Sequence, residues 1–306
     1  MGSDQRLKKK IDQEAILDQL KQLSGSEFNS FMLRLFRDRT EGITSGDLMR
    51  QYKQSRFTKE ADIDTLTFKK LELRCLEWTA KQGFEPFTPS PIAPLGTCSA
   101  IARINQNNVV SATRGTEVTS DMTNVMAMKT AIAHSGAGKD FPDLQFSATH
   151  RLVRTQPFDN PAYAAHFGIL CLSSGGFDRG NFAFEIDQLF KHIRVHHGIL
   201  KREAGKRKSY TVILLKKVDH PFNAFLEKRL AQEEFDYPVK VVQEENPTQY
   251  YDLVQFKTFT DFNGEEINTS DGGLTDWTQK LIPNKKHRFF SSGIGIELIY
   301  KLFQSP

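Results

Sequence analysis

The stretch NPTQYYDLVQFKTFTDFNGEEINTSDGGLTDWTQKL, residues 246–281, is the most specific part of the chain. It holds a tyrosine pair, Tyr250 and Tyr251, at the start of a run of high β propensity that continues to Thr260. A glycine pair, Gly272 and Gly273, follows and is typical of a turn. We therefore expect a strand, a glycine turn and then a short helix through Trp277 and Leu281.

The chain on either side of this stretch continues the pattern. Downstream, FFSSGIGIELIYKLF at 289–303 predicts a strand followed by a final apolar helix. Upstream, the runs 146–154 and 167–173 predict an antiparallel hairpin around a loop rich in Pro and Asn. Long antiparallel segments separated by helices predict an α+β fold, a mostly antiparallel sheet flanked by helices.

A helix is predicted from Thr65 until Gly83 ends it. This helix has more apolar residues than one buried face needs. One face carries Phe68, Leu71, Cys75 and Trp78, and the apolar surface is extended by Leu66, Leu73 and Leu76. A two-fold interface with a second copy would bury this surplus. We therefore expect a homodimer.

Three regions follow from changes in pattern along the chain. We expect residues 1–62 to form a helical extension. We expect residues 63–303 to form a single core, with an α/β insertion at about 182–245. The sequence contains no run of about 18 apolar residues, so we expect no membrane span. The three widely spaced cysteines and the absence of a secretory signal favour a cytoplasmic protein.

Four stretches in the family's order resemble the catalytic core of class II aminoacyl-tRNA synthetases, on the histidyl branch. That branch includes histidyl-tRNA synthetase and a non-catalytic relative, the regulatory subunit of ATP phosphoribosyltransferase. The helix and proline-bearing strand at 71–92 resemble motif 1, the dimer interface, and 146–167 resembles the arginine hairpin of motif 2. Residues 246–281 resemble the histidyl signature, and 289–303 resembles motif 3.

The resemblance implies a set of ligand-binding residues. Its amino-acid contacts fall on Asp121 and Thr123 at a strand-to-helix turn, and on Tyr250 and Tyr251. Its nucleotide contacts fall on Arg154, Gln156 and Glu297, and ATP with Mg²⁺ is the cofactor that it implies. Simpler roles stay open, because Asp caps helices well and Arg154 could pair with Asp159 or Glu117.

Two arginines that the chemistry of this family uses are replaced, one by Asn246 and the other by Leu298. Adenylate formation depends on cations fixed around developing charge, and losing one such contact typically costs ~10²–10³ in rate. We therefore assign no catalytic residues and do not expect an active aminoacyl-tRNA synthetase. Lys257, Arg288 and the cations beside Arg288 are the candidates for compensation.

The leading hypothesis is a non-catalytic or altered synthetase-like protein with a regulatory role, which binds a small ligand (an amino acid or nucleotide) or a partner such as a biosynthetic enzyme. The alternative is an ATP-dependent adenylate-forming ligase that uses an amino or carboxylic acid and a non-tRNA acceptor. The basic segment 201–208 suggests RNA binding, but Tyr210 is the only aromatic residue beside it, so a nucleic-acid partner is disfavoured.

The adjacent residues His196 and His197 raise the question of a metal site. Neighbouring residues point apart on a helix, and no acidic or cysteine residue stands at ligand spacing from them. We expect no metal here, and a histidine pair on the surface.

Overall fold

The computed structural model describes residues 11–136, 138, 141–156, 165–245 and 249–304. Asn246 and Asp159, to which the sequence assigned roles, lie outside these residues. The helices are α1 (Gln13–Lys21), α2 (Gly25–Thr40), α3 (Ser45–Gln54), α4 (Thr65–Lys81), α5 (Met122–His134), α6 (Ala183–Glu203), α7 (Pro221–Leu230), α8 (Trp277–Leu281) and α9 (Ile296–Ile299). Short helical turns span Thr97–Ile101, Gln106–Asn108 and Tyr300–Gln304.

The strands form one large sheet and one small sheet. They are β1 (Glu85–Pro86), β2 (Ile92–Pro94), β3 (Ser111–Ala112), β4 (Thr116–Val118), β5 (Leu144–Val153), β6 (His166–Phe177), β7 (Ser209–Leu215), β8 (Val239–Gln243), β9 (Val254–Phe262), β10 (Glu265–Thr275) and β11 (His287–Ile294). The eight-stranded sheet has the order β1-β5-β6-β11-β10-β9-β7-β8 and is parallel only at its two end pairs. The predicted fold class, a mostly antiparallel sheet flanked by helices, is confirmed.

Alternating side chains divide the large sheet into two faces with different coverings. Helices α4, α6 and α7 cover one face, where Leu172, Phe256 and Phe290 are fully buried. Helices α5 and α8 cover part of the other face, around Phe146 and Phe289. The rest of that second face is free to line a cavity.

The glycine pair lies inside a strand, so the predicted turn at Gly272 and Gly273 is wrong. Both residues belong to β10, between its partners β9 and β11. A side chain at Gly273 would meet the Val254 carbonyl oxygen at 2.4 Å, and one at Gly272 would meet Phe256 at 2.6 Å. The glycines are required by close packing rather than by a turn, and this is why the sequence missed strand β10.

One other boundary also differs from the sequence prediction. Tyr250 and Tyr251 precede β9, which begins at Val254, so the tyrosines are not in the strand. Ser45, Gly46 and Asp47 form the first turn of α3. Thr44 and Asp47 cap that turn reciprocally, an arrangement that stabilises helix starts and is easily overlooked when it contains a glycine.

The prediction that His196 and His197 form a surface pair is wrong. The two side chains do point apart on α6, but other parts of the protein cover both of them, and their exposed fractions are 0% and 5%. His196 Nε2 lies 2.9 Å from Ser292 Oγ of the sheet, and His197 stacks on Tyr237 with ring centroids 3.3 Å apart. Burial lowers the pKa of His196 to about 3 and that of His197 to about 4. Both histidines are therefore neutral parts of the core.

The N-terminal helices are the least buried part of the described structure. Helices α1, α2 and α3 contain no buried residue. The segment touches the core where Asn29 Oδ1 accepts a hydrogen bond from the Gly115 N–H at 3.0 Å, and where Arg56 donates to the Gln156 carbonyl at 3.0 Å. Within the described residues, no helix has both the length and the apolarity needed to cross a bilayer.

Candidate ligand-binding cavity

A cavity of about 320 Å³ opens on the partly covered face of the sheet, within the ~300–1,000 Å³ usual for small-molecule pockets. It brings together six of the seven residues that the resemblance had singled out, namely Asp121, Thr123, Tyr250, Tyr251, Arg154 and Gln156. The remaining lining residues are Ile104, Asn108, Ser120, Leu152, Ile169, Cys171, Gln255, Asp271 and Gly293.

Asp121 caps α5 and also belongs to the cavity wall. Its Oδ1 accepts hydrogen bonds from the Thr123 N–H at 2.9 Å and from Thr123 Oγ1 at 2.6 Å. Its Oδ2 accepts a hydrogen bond from the Tyr250 hydroxyl. The N-cap role that the sequence left open is therefore present, and the carboxylate is nevertheless placed at the cavity beside a tyrosine.

The tyrosine pair forms one wall of the cavity. The rings of Tyr250 and Tyr251 meet edge to face with centroids 4.7 Å apart, and Trp277 supports Tyr250 from behind at 5.2 Å. Burial, followed by nearby acidic charge, raises the pKa of both hydroxyls well above the usual value. Both tyrosines are therefore uncharged hydrogen-bonding groups at neutral pH.

Arg154 lies just past the end of β5 and brings a positive charge to the cavity. Its guanidinium sits 5.2 Å from the centre of the Phe167 ring, and its Nε lies 3.4 Å from the Ser120 carbonyl oxygen. Glu117, the alternative partner suggested by the sequence, instead accepts hydrogen bonds from the backbone N–H groups of Gly96 and Cys98. Among the described residues Arg154 forms no ion pair with a carboxylate, and its planar fork lines the cavity, where it suits an anionic ligand group.

A second carboxylate, Asp271, lies on the cavity floor. Strand register places it beside Gly293 of β11, which is itself beside Cys171 of β6. Burial, followed by the negative charge of Asp121, raises the pKa of Asp271 to about 6. The cavity therefore contains two acidic groups and, among the described residues, one cation.

Other residues singled out from the sequence lie elsewhere. Glu297, assigned to nucleotide binding, is 2% exposed, and it accepts hydrogen bonds from Arg151 at 2.7 Å and from the Gly168 N–H at 2.8 Å. Burial opposes its ionisation, yet Lys301, Gly168 and Arg151 hold its pKa below the usual value. Glu297 thus joins β5, β6 and α9 and does not line the cavity.

The candidates for compensating cations do not line the cavity either. Arg288 pairs with Glu185 at 2.6 Å and with Asp178 at 2.9 Å. Lys257 stands beside Asp271 in the sheet register but outside the lining, and Leu298 is also outside it. None of these residues supplies a second cation to the cavity in the described part of the chain.

Sequence reasoning missed Asp271, Gln255 and Gly293. Once β9 and β10 are strands, alternation places Gln255 and Asp271 on the same face as Cys171. Reading Gly272 and Gly273 as a turn hid this alternation. Gly293 lets Ile169 approach the floor closely, because a Cβ there would meet Ile169 Cδ1 at 2.9 Å.

The basic segment 201–208 borders a separate groove of about 1,140 Å³. Beside Tyr210, the one aromatic residue next to the segment in sequence, folding brings Trp78, Phe235 and Tyr237 to the groove. However, Arg202 covers the Trp78 ring at 3.5 Å, and His197 covers Tyr237. These aromatic faces are not free to stack on bases, which base-stacking recognition of single strands requires.

No family model matches the sequence, and no curated protein is similar to it at the level of sequence. The structure is similar to a histidine–tRNA ligase subunit from Alicyclobacillus acidocaldarius, with a TM-score of 0.59 and 12% identity over 80% of this chain and 95% of that one. It is also similar to an ATP phosphoribosyltransferase regulatory subunit/histidyl-tRNA synthetase from Bacillus halodurans, with a TM-score of 0.57 and 11% identity over 82% and 83%.

The fold is that of a class II aminoacyl-tRNA synthetase core. A histidyl-tRNA synthetase from S. aureus in its apo form agrees, with a TM-score of 0.56 and 11% identity over 81% of this chain and 69% of that one. The resemblance stated from the sequence is therefore confirmed at the level of fold. In this synthetase-like core, the cavity lies on the sheet between the histidyl-like stretch and the motif 2-like hairpin.

We predict that Asp271→Asn stabilises the protein in a pH-dependent way. Folding raises the pKa of Asp271 from 3.8 to about 6, so its ionised form opposes folding. This destabilisation is complete above pH 6 and decreases progressively as the pH falls to 3.8. The variant should raise the melting temperature by about 2–4 °C at pH 8 and by less than half of that at pH 4.5. Thermal unfolding at both pH values measures this. Asp62→Asn, at an exposed position, is the control, and an equal gain at both pH values would contradict the assignment.

Proposed function

We propose that this chain is a non-catalytic or altered synthetase-like protein that binds an α-amino acid in the cavity and acts in a regulatory role. The support is the arrangement of charge. Asp121, Thr123 and Tyr250 form a connected acidic and hydroxylic group, suited to an ammonium ion, and Arg154 offers a planar fork to a carboxylate. A zwitterion is complementary to both.

The observation that carries the non-catalytic part is the shortage of cations. Arg154 is the one cationic side chain that lines the cavity among the described residues, and it faces two carboxylates. A triphosphate brings several negative charges, which two carboxylates repel more than one guanidinium attracts. Leu298 supplies no charge at the place where the resemblance expects an arginine. A small zwitterion therefore suits this cavity better than ATP does.

One observation favours the alternative, an adenylate-forming ligase with a non-tRNA acceptor. A recess of about 280 Å³ shares Tyr250 and Tyr251 with the cavity, and its cations are Arg103, Lys216, Lys217 and Lys280. Three of the four already pair with acids: Lys216 with Glu244, Lys217 with Asp252 and Lys280 with Asp276. No cluster of three or more metal-binding side chains occurs in the described residues.

A second copy of the chain is the partner that we propose first, and a biosynthetic enzyme under its regulation is the other candidate. The exposed fractions of Leu66 and Leu73 on α4 are 72% and 56%. These residues are seven positions apart and thus lie on the same side of the helix. Apolar side chains that are this exposed along one helical stripe are suited to a two-fold contact.

The binding proposal predicts stabilisation by at least one α-amino acid. In a thermal-shift panel of L-amino acids and nucleotides, a ligand that binds only the folded state raises the melting temperature. Arg154→Gln should abolish the shift by removing the carboxylate partner, and Gly293→Ala should reduce it by filling the floor. Arg179→Gln, remote from the lining, is the matched control and should keep it. If no amino acid shifts the wild type, the proposal fails.

The two functions predict opposite results in a pyrophosphate exchange assay. We expect no exchange between ATP and labelled pyrophosphate above background with histidine or with any amino acid that binds. The reason is the single cation in the cavity, since each missing contact typically costs ~10²–10³ in rate. Exchange that depends on the amino acid and disappears in Arg154→Ala would establish the ligase instead.

The dimer proposal predicts a species with twice the chain mass of 34.9 kDa in sedimentation equilibrium at micromolar concentration. Leu66→Lys combined with Leu73→Lys should shift it to the monomer, because two buried charges oppose association. Ile132→Lys changes an apolar residue that is 77% exposed on α5, and it should leave the dimer intact. A monomeric wild type would contradict the proposal.

A further inference from the structure

The unmatched charge in the cavity points to the kind of amino acid that binds. Asp121 and Arg154 together match one zwitterion, the ammonium on the former and the carboxylate on the latter. The charges of these two side chains and of the ligand's ammonium and carboxylate sum to zero. Asp271 is then left over, so a neutral amino acid would close the cavity over an unpaired carboxylate.

Among the described residues, no group pairs directly with the Asp271 carboxylate. No described donor forms a hydrogen bond to its carboxylate, and no described cation forms an ion pair with it. Lys216 is committed to Glu244, and the carboxylate of Asp121 is already hydrogen-bonded by Thr123 and Tyr250. Asp271 is therefore the cavity carboxylate that has no hydrogen-bond partner among the described residues, and it lies on the floor, where a ligand side chain would reach.

The surroundings of Asp271 favour a cation over a neutral polar group. Ile169 and Cys171 flank the floor, and burial raises the pKa of Cys171 well above the usual value, so it stays an uncharged thiol. Hydrogen bonds to a charged group in a partly desolvated site are roughly twice as strong as those between neutral groups. Gln255, also in the lining, offers a carbonyl oxygen that can accept a further N–H from the same ligand group.

We propose that the cavity selects a basic α-amino acid, whose side-chain ammonium or guanidinium is held by Asp271 with support from Gln255. This rests on the proposed function, because it takes the zwitterion to lie between Asp121 and Arg154. It adds the class of ligand, and it makes Asp271 the residue that determines specificity. The apolar stem of a lysine or arginine side chain runs along Ile169 and Cys171.

The state of Asp271 depends on the charged groups around it. Asp121 on the α5 cap raises its pKa in addition to burial, while Arg154 after β5, Lys257 on β9 and Lys216 after β7 lower it. The result is a pKa of about 6. Asp271 is therefore ionised at pH 8 and mostly protonated at pH 5, whereas the ligand side chain keeps its charge at both. Selectivity for the basic side chain should weaken accordingly as the pH falls.

The test compares isosteric pairs on the intact chain by isothermal titration calorimetry. L-lysine is measured against L-norleucine, and L-arginine against L-citrulline, at pH 8 and pH 5. One charge-assisted hydrogen bond corresponds to about 10- to 100-fold in Kd, so at least one basic member should bind tighter than its neutral partner by that factor at pH 8. The ratio should shrink at pH 5.

The same titrations are repeated with Asp271→Asn. This variant should fold well, because the substitution removes a partly buried charge. It should bring the ratio at pH 8 close to one while neutral amino acids still bind. If norleucine or citrulline binds the wild type as well as the basic partner, or if Asp271→Asn keeps the ratio, the inference is overturned and the proposed function survives. If neither pair nor any other amino acid binds, both are overturned.

Discussion

The close pairing of β10 with β9 and β11 is the constraint on which the cavity depends. Gly272 and Gly273 allow it, since a Cβ at Gly273 would meet the Val254 carbonyl oxygen at 2.4 Å and the Tyr251 ring at 2.6 Å. With no side chain in the way, Tyr251 packs directly against the strand. The same register places Asp271 beside Gly293, and so both the wall and the floor of the cavity follow from one backbone arrangement.

Contacts elsewhere in the molecule hold the strands around the cavity in place. Glu297 accepts hydrogen bonds from Arg151 and Gly168 and pairs with Lys301, which ties the hairpin of β5 and β6 to α9. On the opposite face, His192 bridges Ser174 and Ser292 at 2.9 and 2.7 Å, and Ser292 continues to His196. Such buried, neutral networks hold strands in a single register because any slip would leave polar groups without partners. The cavity is therefore built on a rigid floor.

Much of the fold could be predicted from the sequence, because its periodicity and its order of motifs are strong signals. The hairpin predicted at 146–154 and 167–173 occurs as β5 and β6, and the helix predicted from Thr65 ends at Lys81, just before Gly83. Asp121, Arg154 and Tyr250 were singled out by resemblance, and they meet in one cavity although they are far apart in sequence. Asp271 could not be found in this way, because it carries no motif and its strand was read as a turn. His196 could not be placed, because burial on two sides of a helix depends on elements distant in sequence, here the sheet and the segment at Tyr237.

We propose that the cavity binds an amino acid without activating it. Calorimetric titration of the wild type with its best amino acid, in the presence and absence of ATP and Mg²⁺, tests this most directly. We expect the same Kd and heat in both conditions, because one guanidinium facing two carboxylates offers no place for a triphosphate. Binding that requires ATP, or that becomes about tenfold tighter or more with it, would mean that the nucleotide shares the site, and it would contradict binding without activation.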